Sequence, residues 1–444
     1  MLAILRNRSF RHLFIAQVVA LLGTGLSTVA LGLLAFDLSG ERASMVLGTV
    51  FALKMVAYVG IAPIAGAFAS QVPRRRMLVA LDCVRALVAC CLPFVDAAWE
   101  IFALIFIMQA ASAAFTPTFQ ATLPDILPDE KDYTRGLSLS RLAYDLENLI
   151  TPSLAAVVLL FASYHALFLG TALGFIGSGL LILTVILPTP VADEARRSVY
   201  ERTTRGIRFY LATPRLRGLL ALNLVVAAGA SMVLVNTVVL VQSTLGLDEV
   251  HVAYALGSYG AGSMVTALSL PRLLERYKDR SVMMAGAALM VLIVLALIAI
   301  DKIGAFSWLA LLICWLVLGC GYSAVLTPSG RLLQRSSHQA DRPAIYAAQF
   351  ALSHACWLLC YPLSGYLQTA FGMQVTLIVL AALGIIGLVL AFRYWPAGGR
   401  QDLYHVHGDL PKDHPHLKDS KSDVRKGHSH VYIIDDTHTT WPRD

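Results

Sequence analysis

The chain has 444 residues, 57% of them hydrophobic and 14% charged, with a formal net charge of +7. Its mean hydropathy is +0.67, whereas a soluble domain carries about 25% charged residues. This balance excludes a soluble globular protein. The basic surplus is therefore read by its position along a membrane topology, not as a nucleic-acid signal.

Taken in order, twelve apolar segments are long enough to cross a bilayer. The first six run over about 12–37, 44–69, 77–95, 99–123, 137–162 and 165–187. Arg6, Arg8 and Arg11 precede the first of them. That run is too long for a signal peptide, and no small-residue cleavage site follows. A polar stretch, Pro188 to Pro214, comes next, with Arg196, Arg197, Arg202, Arg205 and Arg208 beside Tyr200 and Phe209. It reads either as an amphipathic helix on an anionic leaflet or as a solvated basic linker. Six further segments lie near 215–243, 250–270, 281–300, 304–329, 342–369 and 373–395. The expected fold is an all-α polytopic membrane protein with twelve transmembrane helices in two six-helix halves. Its expected units are 1–187, a linker 188–214, 215–395 and a polar tail 396–444.

The loops set an orientation. Twenty-two Lys and Arg fall at one set of helix ends, against Arg42 and Lys302 at the other. Positive charge stays on the cytoplasmic side. Both termini and the middle loop are expected there, in a multi-pass protein of a bacterial inner membrane. The halves also repeat at an offset of about 210 residues: Thr116-Pro117 against Thr327-Pro328, and Pro152 against Pro362. A parallel six-plus-six repeat joined by a basic linker is a transporter architecture.

Polar residues inside spanning segments are costly, about 2.5–3.5 kcal/mol for an ionised acid at a helix centre on insertion scales. The fifth segment carries Arg141, Asp145, Glu147 and Asn148 within eight residues. At 100° per residue Arg141, Asp145, Asn148 and Pro152 share one face, and Glu147 points elsewhere. This is either a buried structural ion pair or a proton- or substrate-bearing site. His354 in the eleventh segment titrates in the physiological range or serves as a helix–helix hydrogen bonder. The seven cysteines all lie in apolar runs, none in a CxxC, and read as core packing. There is no G-x-x-x-x-G-K-[ST], HExxH or GxSxG, which argues against an ATP-driven pump or a membrane hydrolase. No cofactor is implied.

The tail holds His405, His407, His414, His416, His428, His430 and His438 among several aspartates. Neutral imidazoles beside carboxylates suit a divalent metal such as nickel, cobalt, zinc or copper, without the spacing of a closed zinc site. A solvated tail is the other reading. Val431 to Ile434 is expected as a short docking strand.

Between the second and third segments the chain reads Gly66-Ala-Phe-Ala-Ser70-Gln71-Val-Pro73-Arg74-Arg75-Arg76. It resembles the G-x-x-x-D-R/K-x-G-R-R/K signature of the major facilitator superfamily, with Ser70 and Pro73 replacing the acid and the second glycine. The second-half copy, Glu275-Arg276-Tyr277-Lys278-Asp279-Arg280, keeps its acid, and Asp82-x-x-Arg85 offers the carboxylate missing from the first. The resemblance implies that these residues form a cytoplasmic gate. It further implies that helices 1, 4, 7 and 10 surround a cavity, with Asn223 and Asn236 facing it. Helices 2, 5, 8 and 11 would then line the contact between halves. On that placement Lys54, four residues before Tyr58, faces Glu147 or Asp145 near midplane, in either a proton-linked or a static pair. Gly23, Gly25 and Gly32 are expected to permit close packing. The stretch Phe115-Thr116-Pro117 to Pro128 resembles siderophore and drug exporters, and the tail resembles that of nickel and cobalt resistance exporters. The implied activity is secondary, proton-coupled export by a monomer in the bilayer. Its solute is a divalent metal or, alternatively, a drug or siderophore. A non-transporting metal sensor is the competing class.

Overall fold

The computed structural model describes residues 2–68, 73–127, 129–185, 199–338, 341–395, 402–405, 428–435, 438 and 441. Helix α1 (Arg8–Ser39) starts where Asn7 accepts the Phe10 N–H at 3.1 Å, and it ends at Gly40, whose φ of 52° suits glycine. There follow α2 (Ala43–Phe68), α3 (Arg74–Cys91), α4 (Ala98–Ile126), α5 (Glu130–Leu159) and α6 (His165–Leu183). The second group is α8 (Pro214–Val239), α9 (Glu249–Arg276), α10 (Asp279–Lys302), α11 (Trp308–Leu326), the short α12 (Ser329–Arg335) and α13 (Arg342–Tyr394). Helix α13 is two spanning helices joined at Gly372, whose φ of 79° breaks the helical path. The break falls between the eleventh and twelfth segments read from the sequence. All twelve segments are therefore helical among the described residues.

Between the groups lies α7 (Val199–Ala212), inside the basic linker. It packs on protein: Phe209 and Tyr210 are fully buried, and the Tyr210 hydroxyl donates to Gln349 of α13. Arg205 pairs with Asp341 at 2.9 Å, at the start of α13. The described part of the linker is thus a helix packed on protein rather than a solvated connector.

Packing follows small residues. In the first half α1 lies on α6, α2 on α4, and α3 on both α4 and α6. A Cβ at Gly23 would lie 3.0 Å from the Thr171 carbonyl, and the Thr171 hydroxyl donates to the Gly23 carbonyl at 2.9 Å. Gly25 seats Thr151 of α5, and Gly32 faces Val238 of α8, so the glycines of α1 do serve close approach. In the second half α8 lies on α13, α9 on α11, and α10 on α11 and α13. The halves meet where α2 packs on α13 and α5 on α9. Those are the second, eleventh, fifth and eighth spanning helices, as the family resemblance implied.

Large apolar side chains remain outside, among them Leu87 (66% exposed), Phe161 (86%) and Leu268 (67%), as lipid contact requires. Cys83, Cys90 and Cys91 are exposed as well, which corrects the core-packing expectation for these three. The physical reason is that α3 is covered on one side only, by α4 and α6. Among the described residues, eight apolar runs meet the length and composition of membrane spans, two of them holding two spanning helices each. Helix α9 is not among them, because Ser258, Tyr259 and Ser263 dilute its hydropathy.

Candidate functional site

The seam between the halves gathers the ionisable residues. On α2, Lys54 lies 5.9 Å from the centre of the Tyr58 ring. Tyr58 stacks on His354 of α13 at 5.7 Å and reaches Phe350 at 5.9 Å. His354 Nδ1 lies 2.6 Å from the Phe350 carbonyl, an acceptor only, so Nδ1 carries the hydrogen and the neutral ring keeps Nε2 as an acceptor. Lys54 and Glu147 of α5 lie within electrostatic range of each other, and Lys54 also acts on His354. Among the described residues no direct ion pair joins Lys54 to Glu147. Lys54 of α2 and His354 of α13 are thus joined through the Tyr58 ring, and Glu147 lies on α5, a third helix of the seam. Arg141, Asp145 and Asn148 lie on α5, and their side chains fall outside the described residues.

One aromatic group at the seam was not read from the sequence. Phe51 of α2 meets Tyr361 of α13 at 4.9 Å, and Trp357 meets Tyr361 at 5.0 Å. Tyr259 of α9 meets Tyr322 of α11 at 5.6 Å, and its buried hydroxyl has no hydrogen-bond partner. Aromatic residues are common in spanning segments. Only the packing of four helices selects these five.

The two asparagines expected in the cavity are instead buried, 1% exposed at Asn223 and 0% at Asn236. Asn223 donates to the Leu219 carbonyl of its own helix at 2.9 Å, and Asn236 donates to Ser364 of α13 at 2.8 Å. Helix α8 is enclosed on almost every side, so both amide nitrogens donate within the protein, while the buried Asn236 Oδ1 has no hydrogen-bond partner among the described residues.

At the arginine-rich ends, Gly66 lies in the last turns of α2 and Arg74 is buried at the start of α3. The Arg75 guanidinium donates to the Leu183 carbonyl, where α6 ends, and Arg76 is exposed. Asp82 pairs with Arg85 one turn on, both buried, with the guanidinium between the Phe115 and Phe175 rings at 4.2 and 4.4 Å. That pair lies about two helical turns inside the first half. Glu275 and Arg276 are exposed at the end of α9. The engaged acid of the second copy is Asp279, which pairs with Arg331 and, at 3.1 Å, with Arg335 of α12. Arg280 donates to the Trp395 carbonyl at 2.5 Å. The acid was legible in Lys278-Asp279-Arg280; its partners, more than fifty residues on, were not.

In the tail, β1 (Asp402–His405) pairs antiparallel with β2 (His428–Val431), setting His405 opposite His428 and Leu403 opposite His430. The strand ends where the docking strand was expected to begin. Tyr432 and Ile434, beyond it, are buried. His438 is 3% exposed and engages Asp435. This corrects its place in a solvent-facing metal set. His407, His414 and His416 lie outside the described residues, as do the side chains of His405, His428 and His430. Among the described residues, no group of three or more His, Cys, Asp or Glu is arranged to hold a metal ion.

Two helical groups in contact along a polar seam, with apolar side chains turned outward, define an α-helical membrane transporter. The sequence profile of the Major Facilitator Superfamily matches residues 13–304 and 219–405, and the chain belongs to that superfamily. It is a multi-pass membrane protein of that superfamily. An uncharacterized MFS-type transporter of Bacillus subtilis (strain 168), YfiS, is 23% identical over 273 residues, which is 59% of this chain and 63% of that protein. The chain thus matches less than two thirds of that relative. Among solved structures, the nucleoside transporter NupG superposes with a TM-score of 0.65 at 16% identity, over 87% of this chain and 98% of that one. An inward-facing, unoccupied bacterial homologue of the human lysosomal transporter Spinster gives 0.67 at 11% identity, over 87% and 97%. A D-xylose–proton symporter gives 0.67 at 12%, over 88% and 97%. At these identities the likeness concerns the fold alone.

Proposed function

We propose that this transporter is a proton-coupled exporter of an amphipathic organic solute, of the kind handled by drug or siderophore exporters. The observation that carries the coupling is Lys54 joined through the Tyr58 ring to His354 across the seam of the halves, with the acid Glu147 on α5 of the same seam. An acid there changes its attraction to Lys54 on protonation, and the seam is where alternating access must make and break contacts. Support for the solute comes from the aromatic surfaces of Phe51, Trp357 and Tyr361 on α2 and α13, and of Tyr259 and Tyr322 on α9 and α11. Aromatic faces bind flat or cationic organic groups by stacking and cation–π attraction. The positive-inside pattern places both termini in the cytoplasm, with Arg74–Arg76, Asp279, Arg331 and Arg335 at the cytoplasmic gate.

The direct test is efflux from proteoliposomes under an imposed proton gradient. Glu147→Gln is expected to abolish gradient-driven efflux while leaving solute exchange at equilibrium. Efflux with an unchanged pH dependence in this variant would sink the coupling. A second reading, export of nickel or cobalt, has its support in the tail histidines other than His438. Under that reading, removal of residues 402–444 lowers metal tolerance of a sensitised host, and equal tolerance excludes it.

A further inference from the structure

The end of the tail is seated. Tyr432 is 6% exposed, Ile434 2% and His438 3%, although the chain here has left the helical bundle. Asp435 and His438 are tied to each other, the Asp435 N–H donating to the His438 carbonyl at 3.2 Å and the His438 N–H to Asp435 Oδ1 at 2.7 Å. The His438 ring stacks edge-on against Tyr432 at 4.6 Å, and Trp441 meets Tyr432 at 5.2 Å. The Asp435 carboxylate then reaches outside the tail. One oxygen faces His438 Nδ1 at 3.1 Å; the other faces His338 Nε2 at 3.3 Å. His338 lies in the connection between α12 and α13. Three residues on, Asp341 closes that connection and holds Arg205 of the linker helix α7.

We propose that residues 432–441 form an intramolecular latch. Its carboxylate, Asp435, locks the tail onto the α12–α13 connection, and through Asp341 and Arg205 it restrains both α13 and the linker between the halves. The sequence makes the latch from a short apolar pair, an aspartate turn and a ring that covers it. It needs no ligand and no second chain. Its position gives it leverage: α13 begins at this connection and runs on to the seam with α2, where Tyr58 and His354 meet. A released tail leaves the connection held at Asp341 by Arg205 and, at the end of α12, by the Arg215 hydrogen bond to the Arg335 carbonyl.

The full-length protein in lipid nanodiscs, followed by hydrogen–deuterium exchange, tests this. Asp435→Asn keeps the shape and removes the charge. It is expected to speed exchange over 428–441 by about tenfold or more, the worth of hydrogen bonds to one charged group. Exchange over 336–345 and over α7 should rise with it, while the enclosed helix α8 stays unchanged. A chain ending at residue 427 should loosen 336–345 and α7 in the same way. Equal protection of 428–441 in the native chain and Asp435→Asn overturns the latch. Release of the tail with 336–345 and α7 unchanged, in either variant, overturns its coupling to the linker.

Discussion

Removing the carboxylate of Asp82 should destabilise the first half, and removing its partner as well should restore it. Asp82 is 1% exposed and Arg85 4%, in direct contact within α3. Breaking a buried pair by deleting one partner costs about 3–5 kcal/mol, because the remaining charge is stranded. Here the stranded guanidinium keeps two aromatic faces, Phe115 at 4.2 Å and Phe175 at 4.4 Å. Each is worth about 0.5–2 kcal/mol when desolvated. Those contacts exist in the native protein too and strengthen only modestly once the carboxylate is gone. The expected loss for Asp82→Asn is therefore about 2–4 kcal/mol. The double variant Asp82→Asn with Arg85→Met strands no charge and fills a similar volume, so it should recover to within about 1–2 kcal/mol of the native protein. Thermal or detergent-induced unfolding of the purified protein reads both. A double variant as unstable as the single one, or worse, would refute the reasoning and show that the cation–aromatic sandwich itself carries the stability.

Three further outcomes are expected. Gly365→Ala places a Cβ 2.2 Å from the Ser44 carbonyl, so the α2–α13 seam must part at a cost of about 1–3 kcal/mol; peptide-resolved maleimide labelling should find the buried Cys360 more reactive. Asp248→Ala removes the cap of α9, where the carboxylate accepts the His251 N–H at 3.1 Å, and should cost about 0.5–2 kcal/mol, seen as faster exchange over the first turn of that helix. The hydrogen bond from the His251 side chain holds the Asp248 carboxyl below its ordinary range, so the cap is present above that range and lost as pH falls through the lowered value; protection at the start of α9, taken relative to the intrinsic exchange rate at each pH, should fall in acid and be flat in Asp248→Ala. Arg205→Ala, by removing the 2.9 Å pair with Asp341, should loosen α7 by about 1 kcal/mol without unfolding it, since Phe209 and Tyr210 still bury their rings.

Hydropathy and charge made the helices legible because the bilayer acts on each segment separately. A run such as 281–300 must be apolar wherever its neighbours lie, and arginines collect at one side regardless of packing. The division of α13 at Gly372 was visible for the same reason, as a short gap between two apolar runs. What was not legible depends on which face of a helix meets which neighbour. Asn223 and Asn236 looked like cavity residues because a polar group in an apolar run has two solutions, solvent or a protein partner, and the sequence does not separate them. Cys83, Cys90 and Cys91 looked buried because an apolar run has two apolar surroundings, core and lipid. The engagement of Asp279 by Arg331 and Arg335, and of Asp435 by His338, joins residues far apart in the chain, where spacing carries no signal.

The weakest spans in the sequence are the ones that matter most to function. Helix α9 falls short of a membrane span by composition, and α5 carries Asp145, Glu147 and Asn148 within its apolar run. These two helices pack on each other across the seam, with Pro152 facing Gly257. A helix facing lipid all round could not carry Glu147 or Ser258, because unsatisfied polar groups in hydrocarbon are too costly. A helix that trades lipid for protein contact during a transport cycle can carry them, and must, if the two halves are to part without exposing an apolar core to water. The polar residues of the fifth and eighth helices are thus what a seam between two halves can carry, and α5, the helix of Glu147, packs on α9 there.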